Sequence, residues 1–243
     1  MKNTKGRNWT KEELLVAINL YCKIPFGKIH QKTPEIIELA ELLDRSPGSV
    51  SYKLANFASI DPSLQREGAS HVSKLDIEVW NEFFLNWEEM SYKSEITLSK
   101  IKEEQTEIFP AGTNKEAFVR VRVNQNFFRK TILASYGGCC ITGLSIPELV
   151  VASHIVPWSV DEKNRTNPRN GLCLNALHDK AFDAGLISIS EDFTVVGSKK
   201  LLSFDTNGIE LITDSIGLQI NMPKRFLPDQ NFLSYHRKHI FQG

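Results

Sequence analysis

The stretch LVVASHIVPWSVDEKNRTNPRNGLCLNALHDKAFDAGLISI, residues 149–189, constrains this chain more than any other part of it. Leu149 to Ile155 is apolar and rich in β-branched residues, the composition of a strand, and it carries His154 to the strand's end. Pro157 stops pairing because it has no N–H to give to a ladder. A polar loop then runs to Arg169, Asn170-Gly171 opens a second strand, GLCLN, and ALHDKAF continues as a short helix carrying His178. The unit thus reads as strand, loop, strand and helix, with His154 on the first strand, Asn170 at the second and His178 on the helix.

The rest of the composition suits a globular chain, with 41% hydrophobic and 24% charged residues. At 243 residues it is long enough for one large domain or two small ones. No apolar run approaches the roughly 18 residues that cross a bilayer, so no membrane is expected as a partner. The segment MKNTKGRNWTKEE lacks the apolar core of a secretory signal. Four cysteines in a chain this long do not make a disulfide scaffold, and a reducing, cytoplasmic setting is expected. Lys plus Arg and Asp plus Glu both number 29, but the balance is uneven: net −3 over residues 1–109 and +3 over 110–243.

Helix signals crowd the first 90 residues. Thr10 and Glu13 are spaced as a capping box with Trp9 and Leu14 at the staple positions, and Leu14, Leu15, Ile18 and Tyr21 follow as an apolar stripe. Thr33-Pro34 and Ser46-Pro47 each pair a cap with a proline suited to a first helical turn. They open a second helix with Ile36, Leu39, Ala40 and Leu43 inward, and a third with Val50, Leu54 and Phe57 at i, i+4 and i+7. A fourth is predicted from about Asp76 to Glu89, with Ile77, Trp80, Phe83, Phe84 and Trp87 inward. The second and third helices, a few residues apart, fit a helix-turn-helix, in which Ser49, Lys53 and Asn56 would face DNA. A plain helical bundle that binds protein or nothing fits the same spacing.

Residues 91–115 read as a polar, partly helical connector broken by Pro110 and Gly112. From Glu116 the alternation AFVRVRV predicts a strand with Arg120 and Arg122 on one face, followed by a helix with Phe127, Phe128, Ile132 and Leu133 inward. Four positive charges without an acid between Arg120 and Lys130 make a local phosphate-attracting patch that includes Arg129.

The segment 149–189 resembles the HNH endonucleases, whose active site is a ββα-metal finger. The likeness rests on Ser-His-Ile-x-Pro-Trp at 153–158, Asn-Pro-x-Asn-Gly-Leu at 167–172 and His-x-x-x-Phe-Asp at 178–183. The Cys-Ile-Thr-Gly run at 140–143 and the basic, Phe-Phe-containing segment before it fit the same pattern. The N-terminal helices look like a module that accompanies such nucleases in prokaryotic restriction-type proteins.

What the resemblance implies is an α+β chain. A small helical, helix-turn-helix-like domain (1–90) is joined by a polar linker (91–115) to an HNH nuclease domain with a ββα-metal core (116–243). It also implies a metal-dependent endonuclease cutting double-stranded DNA, in restriction of foreign or modified DNA, near the nucleoid. His154 would be the general base, its imidazole held by the side-chain oxygen of Asn170, and His178 a metal ligand. Many family members carry Asp or His directly before the catalytic histidine. Here that residue is Ser153, so Asp183 is the candidate second ligand, ahead of Asp179. Few protein ligands suit Mg²⁺, with Mn²⁺ or Ni²⁺ as substitutes. Arg120, Arg122, Arg129 and Arg169 would contact the DNA backbone.

Cys139, Cys140 and Cys173 contain no C-x-x-C pair and are expected in the core rather than on structural zinc. His236 and His239, at i and i+3, are spaced for a metal but fit a basic helix packed on the nuclease domain better. One active site cuts one strand, so double-strand breaks would call for a homodimer or sequential nicks. The rival reading is a non-catalytic DNA-binding or regulatory protein with a retired nuclease core.

Overall fold

The computed structural model describes residues 7–64, 71–102 and 114–243, which fall in two compact units, Met1–Ala134 and Ser135–Gly243. The first unit is all helical. α1 (Lys11–Lys23) begins at the capping box read from the sequence, with Thr10 Oγ1 accepting from Glu13 N and the Glu13 carboxylate accepting from Thr10 N. α2 (Pro34–Leu42) and α3 (Pro47–Ile60) each start on a proline. Asp44 between them takes a left-handed conformation (φ 51°), and Arg45 N donates back to Ala40 O at 2.8 Å, closing α2 tightly enough to turn the chain. α4 (Lys74–Leu85) has its own capping box, Ser73 with Asp76. Leu14, Ile18, Tyr21, Ile36, Leu54, Phe57, Val79 and Phe83 are all fully buried in the helical core.

Three expectations change here. The predicted fourth helix breaks at Asn86, and the chain restarts as α5 (Trp87–Ile101), so most of the connector's described portion is helix with Ser91 and Ser94 buried. Residues 103–113 of the connector, including Pro110 and Gly112, lie outside the described residues. Ile77, expected inward, is 45% exposed, and Val79 takes its place.

The alternating 117–123 segment is not a strand: it belongs to α6 (Asn114–Tyr136). Its buried stripe runs through Asn124, Phe127, Phe128, Thr131, Ile132 and Ser135 at helical spacing. Three of those six are polar, which hides the period from a count of apolar residues. Asn124 is at home there because its Oδ1 accepts from Ser91 Oγ and its Nδ2 donates to Glu88 O, both at 3.2 Å.

The second unit holds the finger. β1 (Val150–His154) pairs antiparallel with β2 (Gly171–Asn175), setting Val150 against Asn175 and His154 against Gly171. Asn175 then caps α7 (Ala176–Asp183), its Oδ1 accepting from His178 N at 2.8 Å. β3 (Ile187–Ile189) and β4 (Val195–Gly197) form a second antiparallel pair, followed by the short helices α8 (Lys199–Leu202) and α9 (Glu210–Thr213) and by α10 (Gln230–His239). The core beneath joins Leu172 and Leu174 of β2, Phe182 of α7, Ile187 and Ile189 of β3, Val195 of β4 and Leu233 of α10. The architecture is α+β, and Cys139, Cys140 and Cys173 are buried free thiols in it.

Candidate functional site

Position 154 ends β1, so its side chain leaves the sheet where the long loop to β2 begins. That loop is organised by side chains reaching its backbone. Asn170 is the main staple: its Oδ1 accepts from Val156 N at 2.8 Å, and its Nδ2 donates to Val156 O at 3.2 Å and Asn164 O at 3.3 Å. Arg165 is the second, donating from Nε to Trp158 O at 2.8 Å and from its terminal nitrogen to Glu162 at 3.1 Å. Buried backbone groups far from any ladder need such partners.

With the loop fixed, the Arg165 carbonyl stands 2.8 Å from His154 Nε2. A carbonyl only accepts, so in the neutral ring Nε2 carries the proton and Nδ1 the lone pair. The sequence reading assigned this orienting task to the Asn170 side-chain oxygen. That is corrected: Asn170 spends its oxygen on Val156 N and acts on His154 only through the loop. Trp158 sets its ring edge-on to the imidazole at a centroid distance of 5.4 Å. Burial pulls the His154 pKa down from 6.5, against the opposing pull of the Arg165 carbonyl, so the ring is a neutral proton acceptor at neutral pH.

His154 lines a cavity of about 430 Å³ together with Ser153, Trp158, Asp179, Asp183, His236 and Ile240. Asp179 and Asp183 are four apart on α7 and so share a helix face, whereas His178 is rotated about 100° from Asp179. His178 is only 2% exposed, does not line the cavity, and both of its ring nitrogens are buried without a hydrogen-bond partner. Burial lowers its pKa as well. His178 is not on this cavity's wall, and the residue that joins Asp183 there is Asp179. The i, i+4 spacing of the two aspartates was the sequence signal for this, overshadowed by the more familiar histidine.

The cavity's donor set suits a hard divalent cation. Asp183 has its pKa raised by burial and then by the neighbouring negative charge of Asp179, a repulsion that a cation relieves. Ser153 Oγ, on the same wall, is buried without a partner and offers a place for a water of a hydrated ion. Among the described residues no group of three or more His, Cys, Asp or Glu is gathered as a metal cluster, so most of a cation's shell would come from water and phosphate.

The expected DNA contacts fare unevenly. Lys53 is buried and donates to both carboxylate oxygens of Asp76 at 2.8 Å, and Asn56 is 1% exposed with its amide on His71 O at 3.2 Å. Both are corrected to internal struts of the helical unit. Arg120 pairs with Glu89 at 2.6 Å and lies over the Tyr92 ring, while Arg122, two residues on along a helix, points to a different side. Arg122 is exposed and Arg129 half-buried, and both belong to the helical unit. Arg169 sits in the finger, half-exposed, its guanidinium 2.9 Å from Asp229. Among the described residues no helix is long and apolar enough to cross a membrane.

Residues 139–190 match the family model for HNH endonucleases, and this segment of the chain is an HNH domain. The match spans Cys139 through α7 and β3 and stops short of β4 and α10. No curated protein matches the chain.

Proposed function

We propose that the HNH domain makes this chain a metal-dependent DNA endonuclease, with His154 as general base and Asp179 and Asp183 as the protein ligands of a single divalent cation. The observation that carries the reading is the sharing of one cavity by a buried neutral imidazole, fixed by a backbone carbonyl, and a pair of carboxylates on the adjoining helix. Hydrolysis of a phosphodiester requires a proton to leave the attacking water and negative charge to be relieved on the phosphate and departing oxygen. His154 takes the proton at Nδ1, and Nε2–H keeps its bond to Arg165 O, so the ring holds its orientation while its charge changes. Asp179 and Asp183 hold the cation, which when bound supplies the compensating positive charge. Mg²⁺ fits a site with two carboxylates and otherwise water and phosphate oxygens, and Mn²⁺ or Ni²⁺ would substitute. Arg169, on the loop side of the finger, contacts the phosphate backbone.

The substrate is double-stranded DNA, cut to leave 5′-phosphate and 3′-hydroxyl ends. The chain acts in the cytoplasm in restriction of foreign or modified DNA. A single cavity cuts one strand, and two copies or two passes complete a break. The decisive experiment incubates wild type and His154→Ala with modified and unmodified plasmid in Mg²⁺, Mn²⁺ or Ni²⁺ and maps the ends. General-base catalysis contributes at least about a hundredfold, so His154→Ala loses at least that much cutting rate while DNA binding and Mn²⁺ uptake persist. Wild type that binds DNA and cuts it with none of the three ions would establish the rival reading, a DNA-binding protein with a retired core.

A further inference from the structure

The HNH match ends at residue 190, yet the cavity wall continues into His236 and Ile240, about fifty residues later. His236 is 1% exposed on α10, and each ring nitrogen is engaged. Nε2 lies 3.0 Å from Phe182 O, a group that only accepts, so Nε2 carries the proton and Nδ1 accepts from Ser188 Oγ at 2.8 Å. The imidazole also stacks on the Phe182 ring, with centroids 3.7 Å apart and planes 12° apart.

One histidine thus grips the residue before Asp183 by both ring and carbonyl. The residues after Asp183 are held as well: Gln242 donates from its side chain to Ala184 O at 2.7 Å and from its backbone to Gly185 O at 2.9 Å. Gly185 has φ +66°, and a Cβ there would stand 2.1 Å from Ile240 O, so the tail runs where only glycine admits it. Every one of these ties falls within two residues of Asp183, the candidate cation ligand at the end of α7.

We infer that His236 is a positioning residue of the cation site, fixing the backbone on which Asp183 stands, and that the HNH finger is completed by the segment 230–242. The inference rests on the reading of Asp179 and Asp183 as ligands. Partners that orient metal ligands are worth about ten- to a hundredfold in metal affinity.

The test is calorimetric titration of the full chain with Mn²⁺, together with Mg²⁺-dependent cutting rates and Tm, for wild type, His236→Phe and His236→Gln. His236→Phe keeps a stacked ring but removes both polar contacts, whereas His236→Gln can restore an N–H to Phe182 O. Expected are an Mn²⁺ affinity about tenfold weaker in His236→Phe, substantial recovery in His236→Gln, and a cutting rate at saturating metal close to wild type. Equal affinity in a folded His236→Phe overturns the inference while leaving the ligands standing. So does a loss that follows Tm and is not recovered by His236→Gln. If His236→Phe fails to fold, Ser188→Ala decides, with about threefold weakening expected from loosening the ring and unchanged affinity overturning the idea. Wild type that takes up no Mn²⁺ overturns the ligand reading itself.

Discussion

Lowering the pH from 7 to 4 forces a proton onto a histidine that the fold holds neutral, and the cost can be worked out. His236 has its pKa pulled down from 6.5 to about 4, chiefly by burial and secondarily by the charge of Arg237, against the opposing pull of the Phe182 carbonyl. Because the folded value lies below the unfolded one, the unfolded chain takes up the proton first as the pH falls. The stabilisation from keeping His236 neutral is therefore complete above the ordinary histidine pKa and is lost as the pH drops from about 6.5 towards 4. At about 1.4 kcal/mol per unit, roughly 3 kcal/mol disappears over that window, a large share of a typical domain's 5–15 kcal/mol. The assay is urea unfolding of wild type and His236→Gln, followed by circular dichroism at pH 7, 6, 5 and 4. Carboxylates and other histidines titrate in both proteins and largely cancel in the difference. The stability advantage of wild type should shrink by about 3 kcal/mol between pH 7 and 4. A difference that stays flat refutes the linkage and the neutral, doubly bonded ring from which it was derived.

Three further outcomes follow from the geometry. Lys53→Met leaves Asp76 as an uncompensated buried charge and should cost about 3 kcal/mol in unfolding free energy; the salt dependence of DNA binding should not change, and a reduced slope with stability intact would return Lys53 to the DNA surface. Asn170→Ala strands the backbone groups of Val156 and should cost about 2 kcal/mol, read as faster protease cleavage within 156–170 and a lower Tm; an unaltered loop with lost activity would favour direct contact with the imidazole. The acid limb of kcat/KM, set by His154, should lie below the ordinary histidine value near 6.5, because burial favours its neutral form. A limb above pH 7 would exclude that ring as the base.

The finger was legible because its turns are written in local chemistry: β-branched residues up to His154, then Pro157 and Asn170-Gly171. The helix starts at Thr10 and Ser46 were legible for the same reason, whereas the Thr33 hydroxyl donates to Lys28 O instead of capping α2, and α4 begins at the Ser73 cap, ahead of the expected Asp76. What failed was whatever depends on a distant partner. Lys53 is a surface residue by type, and only Asp76, twenty-three positions on, makes it a buried one. Arg120 and Arg122 alternate with valines as in a strand, yet Asn124, on the same helix, buries its amide against Ser91 and Glu88 of α5. The packing of Phe182 and Ala181 fixes which face of α7 is buried and puts Asp179 with Asp183 on the cavity wall. His236 lay beyond any local pattern.

The bonds from Gln242 to Ala184 and Gly185 also bear on synthesis. A ribosome that has released residues 139–190 has released every group proposed here to touch the phosphate or the cation, but not the segment that braces α7. Until residues 230–242 emerge, the nascent chain lacks the grip of His236 and Gln242, so a message broken upstream of them would yield an unbraced finger.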